Sequence, residues 1–310
     1  MSSKLARCLL LFCILIAFMP ASDPDVNMDG RWLGLYAQKM EAETARAFRC
    51  FRSQNIEPVL IKGWAAARNY PPGVFRSYSD IDLAVPAVDY DRAVQILASE
   101  QAQGIGVDLH KELRQLDTKP WMEICADSQI VELDDCAIRI PSPEDHLRIL
   151  STHWLNDGGE NKDRLWDIYY AVANRPDSFN WERCLNDAGE VRGGWVTAVI
   201  GLANRYLGLK IDDLPFKDAA KDLPAWIIRT VEREWSSAIP LRSLHTCLSD
   251  PVELFRQIRK RLPPNPLQAT IEAEGDLRKG GQRRYQLQGI KRKAVPVIRG
   301  TAKAFKHRFR

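Results

Sequence analysis

The sequence has no cysteine pattern that would indicate a disulfide framework or a zinc site. Its 310 residues include seven cysteines, an odd number, and no two of them form a C-x-x-C pair. Disulfide-stapled domains and structural zinc sites both need paired cysteines at short, regular spacings. We therefore expect reduced thiols, as in a cytoplasmic protein.

Long apolar runs are almost absent as well. The one candidate, residues 9–19, is shorter than a transmembrane helix requires. It follows Lys4 and Arg7 and precedes small residues at 21–22, which is the order of regions in a secretory signal peptide. A buried first helix would have the same composition, so residues 1–22 leave both interpretations open.

Acidic residues are missing from the last part of the chain. Residues 278–310 contain twelve lysines and arginines and no aspartate or glutamate, so the net charge of +4 for the whole chain leaves −8 for residues 1–277. Such a basic tail could contact nucleic acid or an anionic surface through counterion release. It lacks the repeated aromatic residues that stack on bases. A solubilising terminus is therefore the alternative interpretation.

The strongest functional signal is the stretch from Phe75 to Pro86, FRSYSDIDLAVP. Asp80 and Asp82 stand at alternate positions of an apolar run that ends at Pro86, which indicates a short strand. Because side chains alternate along a strand, both carboxylates should leave the same face. A cation relieves the repulsion between them, and hard oxygen ligands suit Mg²⁺ or Mn²⁺. A solvated turn with two unrelated aspartates is the alternative.

Residues 56–73 predict a strand, a glycine turn and a short helix. An aliphatic run at 59–61 stops at Lys62 and Gly63, and residues of helix-forming composition follow. Such a turn directs backbone N–H groups at a ligand in front of it, which suits phosphate oxygens. Lys62 and Arg76 could add a point charge and a bidentate fork to the same anion. Each could equally be a solvated surface charge.

A second acidic strand is predicted downstream, at Val107-Asp108-Leu109-His110. Asp108 and His110 would share one face of it. A third carboxylate on a neighbouring strand could complete a metal site and accept a proton from an attacking hydroxyl. We interpret His110 as a supporting residue, although a half-buried structural histidine would have the same position.

These motifs resemble the uncharacterised nucleotidyltransferase family, a branch of the DNA polymerase β-like superfamily. The similarity rests on IKG with its short helix, on YPPG, on RSYSDIDLAV and on VDLH, and it covers roughly residues 45–175. It implies that Asp80, Asp82 and Asp108 are catalytic and bind two Mg²⁺ or Mn²⁺ ions. It also implies that the turn at Lys62 and Gly63 contacts the nucleotide.

The chain departs from the superfamily at Trp64, where a serine or a second glycine usually follows the turn glycine. Lys62 or Ser79 could supply the phosphate contact that this substitution removes. With Gly63 and Arg76, these two residues form the expected nucleotide-binding set.

The resemblance implies an α/β (α+β) fold of the polymerase β type with a mixed sheet. We expect four regions: N-terminal helices at 1–44, a nucleotidyltransferase core at 45–141, a helical domain at 142–277 and the basic tail at 278–310. Helical spacing of apolar residues predicts a helix over 29–54, with Trp32 and Tyr36 in the core, and another over 87–101. Further strands are expected at 121–125, 130–133 and 137–140, and further helices from Pro143, over 161–175 and over 195–207, with Ser142 as a helix cap. His153 and Asp167 could hydrogen bond across a helix pair.

The resemblance implies transfer of a nucleoside monophosphate from an NTP to a hydroxyl or amine acceptor, with release of pyrophosphate. Cytosolic triphosphates as substrates favour a buried first helix over a signal peptide. The acceptor could be a small molecule, a protein or RNA. A catalytically inactive scaffold with the same fold is the first alternative, and a secreted calcium-binding protein is the second.

Overall fold

The structure of the protein is a computed structural model. It describes residues 30–292 with gaps at 117–118, 238, 240–241, 243 and 248. The possible signal segment and the end of the basic tail, residues 293–310, therefore lie outside the described residues. Within the described part, no helix is long and apolar enough to cross a bilayer, and its five cysteines are free thiols.

A small mixed sheet lies at the centre of the first half of the chain. It consists of β1 (Val59–Leu60), β2 (Ile81–Val85) and β3 (Val107–Lys111). The central strand, β2, runs antiparallel to β1 and parallel to β3. Its register pairs Asp82 with Asp108, so these two carboxylates project side by side from neighbouring strands. The predicted mixed sheet is thus confirmed.

Helix α1 (Gly30–Arg52) packs on this sheet, next to a separate hairpin of β4 (Gln129–Leu133) and β5 (Cys136–Ile140). Phe48 and Phe51 of the helix are fully buried among apolar side chains of the three-stranded sheet and of the hairpin. Helix α1 runs without a break through residues 44 and 45, between which we expected the N-terminal helices to end and the catalytic core to begin.

The crossover between the parallel strands β2 and β3 contains helix α3 (Tyr90–Leu97), and helix α2 (Trp64–Ala67) follows β1. Residues 121–125 are not a strand as predicted, because they belong to helix α4 (Trp121–Asp127). Ile124 is the fully buried side chain of this short helix, and one buried position per turn is enough to fix it against the loop after β3.

The second half of the described chain is helical. Ser142 caps the first of these helices, as predicted, because its hydroxyl accepts a hydrogen bond from the Asp145 amide at 3.2 Å. A large apolar core surrounds the fourth helix and contains the fully buried Trp195. The helices are α5 (Pro143–Asn156), α6 (Leu165–Ala173), α7 (Trp181–Asn186), α8 (Gly189–Leu207), α9 (Lys217–Lys221), α10 (Ala225–Trp235), α11 (Pro251–Arg261) and α12 (Pro266–Glu272), with a further helical stretch at 282–292.

Candidate functional site

A cavity of about 310 Å³, which we call the acidic cavity, opens between the sheet and helices α5 and α6. Five carboxylates and three cationic side chains line it, which is an excess of two negative charges. The carboxylates are Asp80, Asp82, Asp108, Asp157 and Asp167, and the cations are Lys62, Arg76 and Arg164. Such a surplus attracts cations and opposes the binding of a free polyphosphate.

Asp82 is the buried centre of this charge cluster, with 3% of its surface exposed. The Lys62 Nζ lies 2.6 Å from the Asp82 Oδ1. Burial acts to raise the pKa of Asp82, but the hydrogen bond with His110 and the charge of Lys62 outweigh it and hold this pKa below its usual value. Asp82 is therefore ionised near neutral pH.

Asp108 and His110 complete a compact group around Asp82. The His110 Nε2 lies 3.2 Å from the Asp82 Oδ1 and 3.4 Å from the Asp108 Oδ2. The candidate ligand atoms of all three side chains lie within 4.8 Å of one another. The parallel register of β2 and β3 produces this arrangement, since it brings the two aspartates side by side and His110 two residues further on the same face of β3.

Asp80 occupies a different position from Asp82. Strand β2 begins at Ile81, so Asp80 precedes it, and its side chain is exposed. It lines the acidic cavity but is not part of the compact group. The catalytic roles predicted for the three aspartates stay predictions.

Gly63 is the sharp turn between β1 and α2. Its φ of +60° is left-handed, and a Cβ there would lie 3.2 Å from the ring of Tyr78 and 3.4 Å from the carbonyl oxygen of Asp80. Both features favour glycine. Trp64, the departure from the superfamily pattern, donates its indole N–H to the Glu41 carboxylate at 3.2 Å and so fixes the turn to helix α1.

Arg76 has a closer partner than the predicted phosphate. Its Nε and Nη2 bind the two carboxylate oxygens of Asp167 at 2.6 and 2.8 Å, and Tyr70 donates its hydroxyl to the same carboxylate at 2.7 Å. The Arg76 Nη1 also donates to the carbonyl oxygen of Gly63 at 3.3 Å. Arg76 therefore supports the glycine turn. A guanidinium has five N–H groups, so Arg76 could contact a ligand only with those that these three hydrogen bonds do not use.

The predicted hydrogen bond between His153 and Asp167 is wrong, because Asp167 forms its ion pair with Arg76. The His153 Nε2 lies 3.3 Å from the Lys62 Nζ and 3.4 Å from the Asp157 Oδ2. Partial burial and the charge of Lys62 lower the pKa of His153 against the opposing influence of Asp157. Our sequence reasoning missed Asp157, although its spacing of four residues from His153 on a helix was a usable signal.

A second, larger cavity of about 930 Å³ adjoins the acidic cavity, and we call it the aromatic chamber. The two share Tyr78, Asn161 and two arginines as a common wall. Ser79, expected near the phosphates, lines the aromatic chamber and not the acidic cavity. The aromatic lining consists of Trp32, Tyr36, Tyr70, Phe75, Tyr78, Trp166 and Tyr170.

The placement of Trp32 in the core is wrong, since this side chain is 67% exposed at the rim of the aromatic chamber. Burial raises the pKa of Tyr36, and the charges of Glu43 and Asp80 raise it further. Tyr36 lines the aromatic chamber, which adjoins the acidic cavity at their shared wall.

The acidic cavity fits a divalent cation by its donor chemistry. Asp82 and Asp108 offer hard carboxylate oxygens, and His110 adds a nitrogen ligand. The surplus of negative charge acts in the same direction. Lys62 competes for Asp82, because its ammonium group already lies against one oxygen of that carboxylate.

Comparison with known proteins supports the resemblance seen in the motifs. A family model described as an uncharacterised nucleotidyltransferase matches residues 30–207, more than half of the chain. No curated protein and no solved structure shows significant similarity. The match reaches further in both directions than the stretch on which the sequence resemblance rested. The chain belongs to this nucleotidyltransferase family, whose name indicates transfer of nucleoside monophosphate groups.

Proposed function

We propose that the protein transfers a nucleoside monophosphate from an NTP to a hydroxyl or amine acceptor, in the cytoplasm and on a polymerase β-like core. The acceptor atom would form a bond to the α-phosphorus while the bond to the bridging oxygen breaks, which releases pyrophosphate. The observation that carries this proposal is the register of Asp82 and Asp108 on neighbouring parallel strands, with His110 within 3.4 Å of both.

The aspartates would hold Mg²⁺ or Mn²⁺ in the acidic cavity, as two-metal catalysis requires. Asp82 and Asp108 are the ligands best supported by the geometry, and Asp80 would add a carboxylate at the exposed edge. The metal, when bound, would neutralise charge on the phosphate oxygens and favour deprotonation of the acceptor. Asp108, whose side chain is more exposed than that of Asp82, is the residue that we assign to receive the acceptor proton.

Lys62 and the glycine turn would hold the phosphates. Once a metal shares the charge of Asp82, the Lys62 ammonium group, 2.6 Å from that carboxylate, becomes available to a phosphate oxygen. Arg76 would keep Gly63 in place through its carbonyl oxygen. Ser79 would act from the aromatic chamber, at the edge nearest to Asp80.

The aromatic chamber would bind the ring system of a substrate, either a nucleobase or an acceptor. Aromatic side chains stack on planar rings, and such stacking accepts any nucleobase. A volume of about 930 Å³ suits an organic molecule larger than the triphosphate moiety alone. The shared wall would let such a ligand extend from the aromatic chamber to the aspartates.

A calorimetric titration with each NTP and Mg²⁺ tests the proposal. We expect metal-dependent binding that Asp80→Ala/Asp82→Ala abolishes. Asp108→Asn should weaken it with little loss of stability, because this side chain is largely exposed. The matched control, Asp212→Ala/Asp213→Ala, removes two exposed carboxylates elsewhere and should bind like the wild type.

A non-catalytic scaffold is the second candidate, and two observations favour it. The ion pair with Lys62 neutralises Asp82 without any metal, and Trp64 occupies the place of the usual serine or second glycine. A wild-type protein that binds neither Mg²⁺ nor any NTP would support this scaffold and refute the catalytic proposal.

A further inference from the structure

Helix α11 (Pro251–Arg261) is turned with its apolar residues outward. Val252 and Phe255 are each 67% exposed, and Ile258 and Leu262 are exposed on the same side. Gln257, in contrast, faces inward and is completely buried. An amphipathic surface helix normally buries its apolar stripe and exposes its polar one.

Polar contacts hold the helix in this orientation. The buried Gln257 accepts hydrogen bonds at its amide oxygen from the Arg242 amide at 3.0 Å and from the Arg261 guanidinium at 2.7 Å. Lys260 donates to the Ser237 hydroxyl at 3.0 Å and to the Ile239 carbonyl oxygen at 2.7 Å. Rotating the apolar residues inward would break these bonds and bury charge without partners.

Positive charge surrounds the exposed apolar residues. Val252, Phe255 and Leu262 line a groove of about 560 Å³ whose lining also includes four cationic side chains and one carboxylate. Arg259 is exposed on the helix, and Arg256 is exposed next to Glu253, its ion-pair partner at 3.0 Å. The charged lining consists of Arg233, Arg256, Arg259, Lys260 and Glu234.

The chain continues from this groove into the basic segment. Gln286, which lines the groove, donates to the carbonyl oxygen of Pro264 at 2.6 Å and joins the helical stretch at 282–292 to it. This stretch carries four exposed cationic side chains, Arg283, Arg284, Lys291 and Arg292. An apolar helix side combined with a polybasic segment supplies the two signals that stable attachment to an anionic bilayer needs.

We propose that the outward side of helix α11 and the groove beside it form a docking surface for an anionic lipid membrane. Val252, Phe255, Ile258 and Leu262 enter the headgroup boundary, and Arg259 with the cationic side chains of the helical stretch at 282–292 contacts the acidic headgroups. Nucleic acid fits less well, because Phe255 is the one aromatic ring among the exposed apolar residues of the helix and base stacking needs several. The proposal does not depend on the nucleotidyltransferase activity.

Co-sedimentation of the full chain with vesicles tests this surface. We expect binding to phosphatidylcholine vesicles that contain about one-third phosphatidylserine, weak binding without it, and release at raised salt. Val252→Ser/Phe255→Ser should weaken binding about tenfold or more, and Arg259→Gln by a smaller factor. The matched control, Val88→Ser/Met122→Ser, replaces two apolar side chains in the first half of the chain that are even more exposed and should bind like the wild type.

Three outcomes would overturn the proposal. The wild type could fail to bind phosphatidylserine vesicles, or the Val252→Ser/Phe255→Ser variant could bind them as well as the control does. The chain could also bind a single-stranded RNA more tightly than the vesicles, with the same dependence on Phe255 and Arg259, which would make this surface an RNA site. All variants are exposed substitutions, so a thermal unfolding scan should show them folded.

Discussion

The buried ion pair of Arg76 and Asp167 makes a strong prediction about stability. The two side chains are 6% and 5% exposed and share two hydrogen bonds. Asp167→Asn keeps the shape of the side chain but leaves the guanidinium without a counter-ion in a buried position. Removal of one partner of such a pair costs about 3–5 kcal/mol. That loss would be a large part of a typical stability of about 5–15 kcal/mol.

Urea unfolding followed by tryptophan fluorescence measures this effect at pH 7. The matched control is Asp212→Asn, which breaks the exposed ion pair with Lys221 at 2.9 Å. Exposed pairs contribute about 0–1 kcal/mol, so the control should unfold almost as the wild type does. The double variant Arg76→Leu/Asp167→Leu removes both charges and should recover most of the lost stability.

The double variant also separates stability from function. It should fold but bind Mg²⁺ and NTP more weakly, because the carbonyl oxygen of Gly63 loses its hydrogen bond to Arg76. If Asp167→Asn lowers the free energy of unfolding by less than about 1 kcal/mol, Arg76 does not depend on Asp167 as its counter-ion, and the reasoning is refuted.

Three further predictions concern single side chains around the site. Burial lowers the pKa of His146 to about 4, whereas the same histidine in the unfolded chain binds a proton near pH 6.5. The free energy of unfolding should therefore fall by up to ~3 kcal/mol as the pH drops from 6.5 to 4. Urea titrations at several pH values should show this dependence for the wild type and not for His146→Leu. Gly63→Ala should lower the unfolding free energy more than Gly73→Ala does, because both have positive φ but only Gly63 would contact Tyr78. Phe75→Ala should weaken NTP binding relative to inorganic triphosphate if the aromatic chamber holds the base, with an unchanged melting temperature, since the side chain is exposed.

Local patterns in the sequence predicted the frame of the site well. The alternating runs that contain Asp80 and Asp82 and that span 107–110 predicted two strands, which the structure places at 81–85 and 107–111. The amphipathic segment between them was predicted to be a connecting helix, and the structure shows that this crossover joins two parallel strands. Side-chain alternation then required Asp108 and His110 to share a face. Ser142 was recognised as a cap because its role depends only on the next three residues.

Contacts between residues far apart in the sequence were not predictable in the same way. Arg76 and Asp167 are 91 positions apart. Nothing in the local pattern around either residue indicates that helix α6 places the Asp167 carboxylate against the arginine that we expected to bind phosphate. Trp32 fits the apolar stripe of α1 by its spacing, yet it stands in the first turn of that helix and is exposed. Residues 121–125 were too few for the helical and strand periods to be told apart.

The charges of the acidic cavity link metal binding to nucleotide binding. Without a metal, the lining has two more negative than positive charges, and Lys62 is held by Asp82 at 2.6 Å. A triphosphate that approaches this lining meets repulsion, and the lysine best placed to bind it is already paired. A divalent cation held by Asp82 and Asp108 would, on the proposed function, remove both obstacles. On the proposed function, each ligand should therefore tighten the binding of the other by the same factor, as linkage requires.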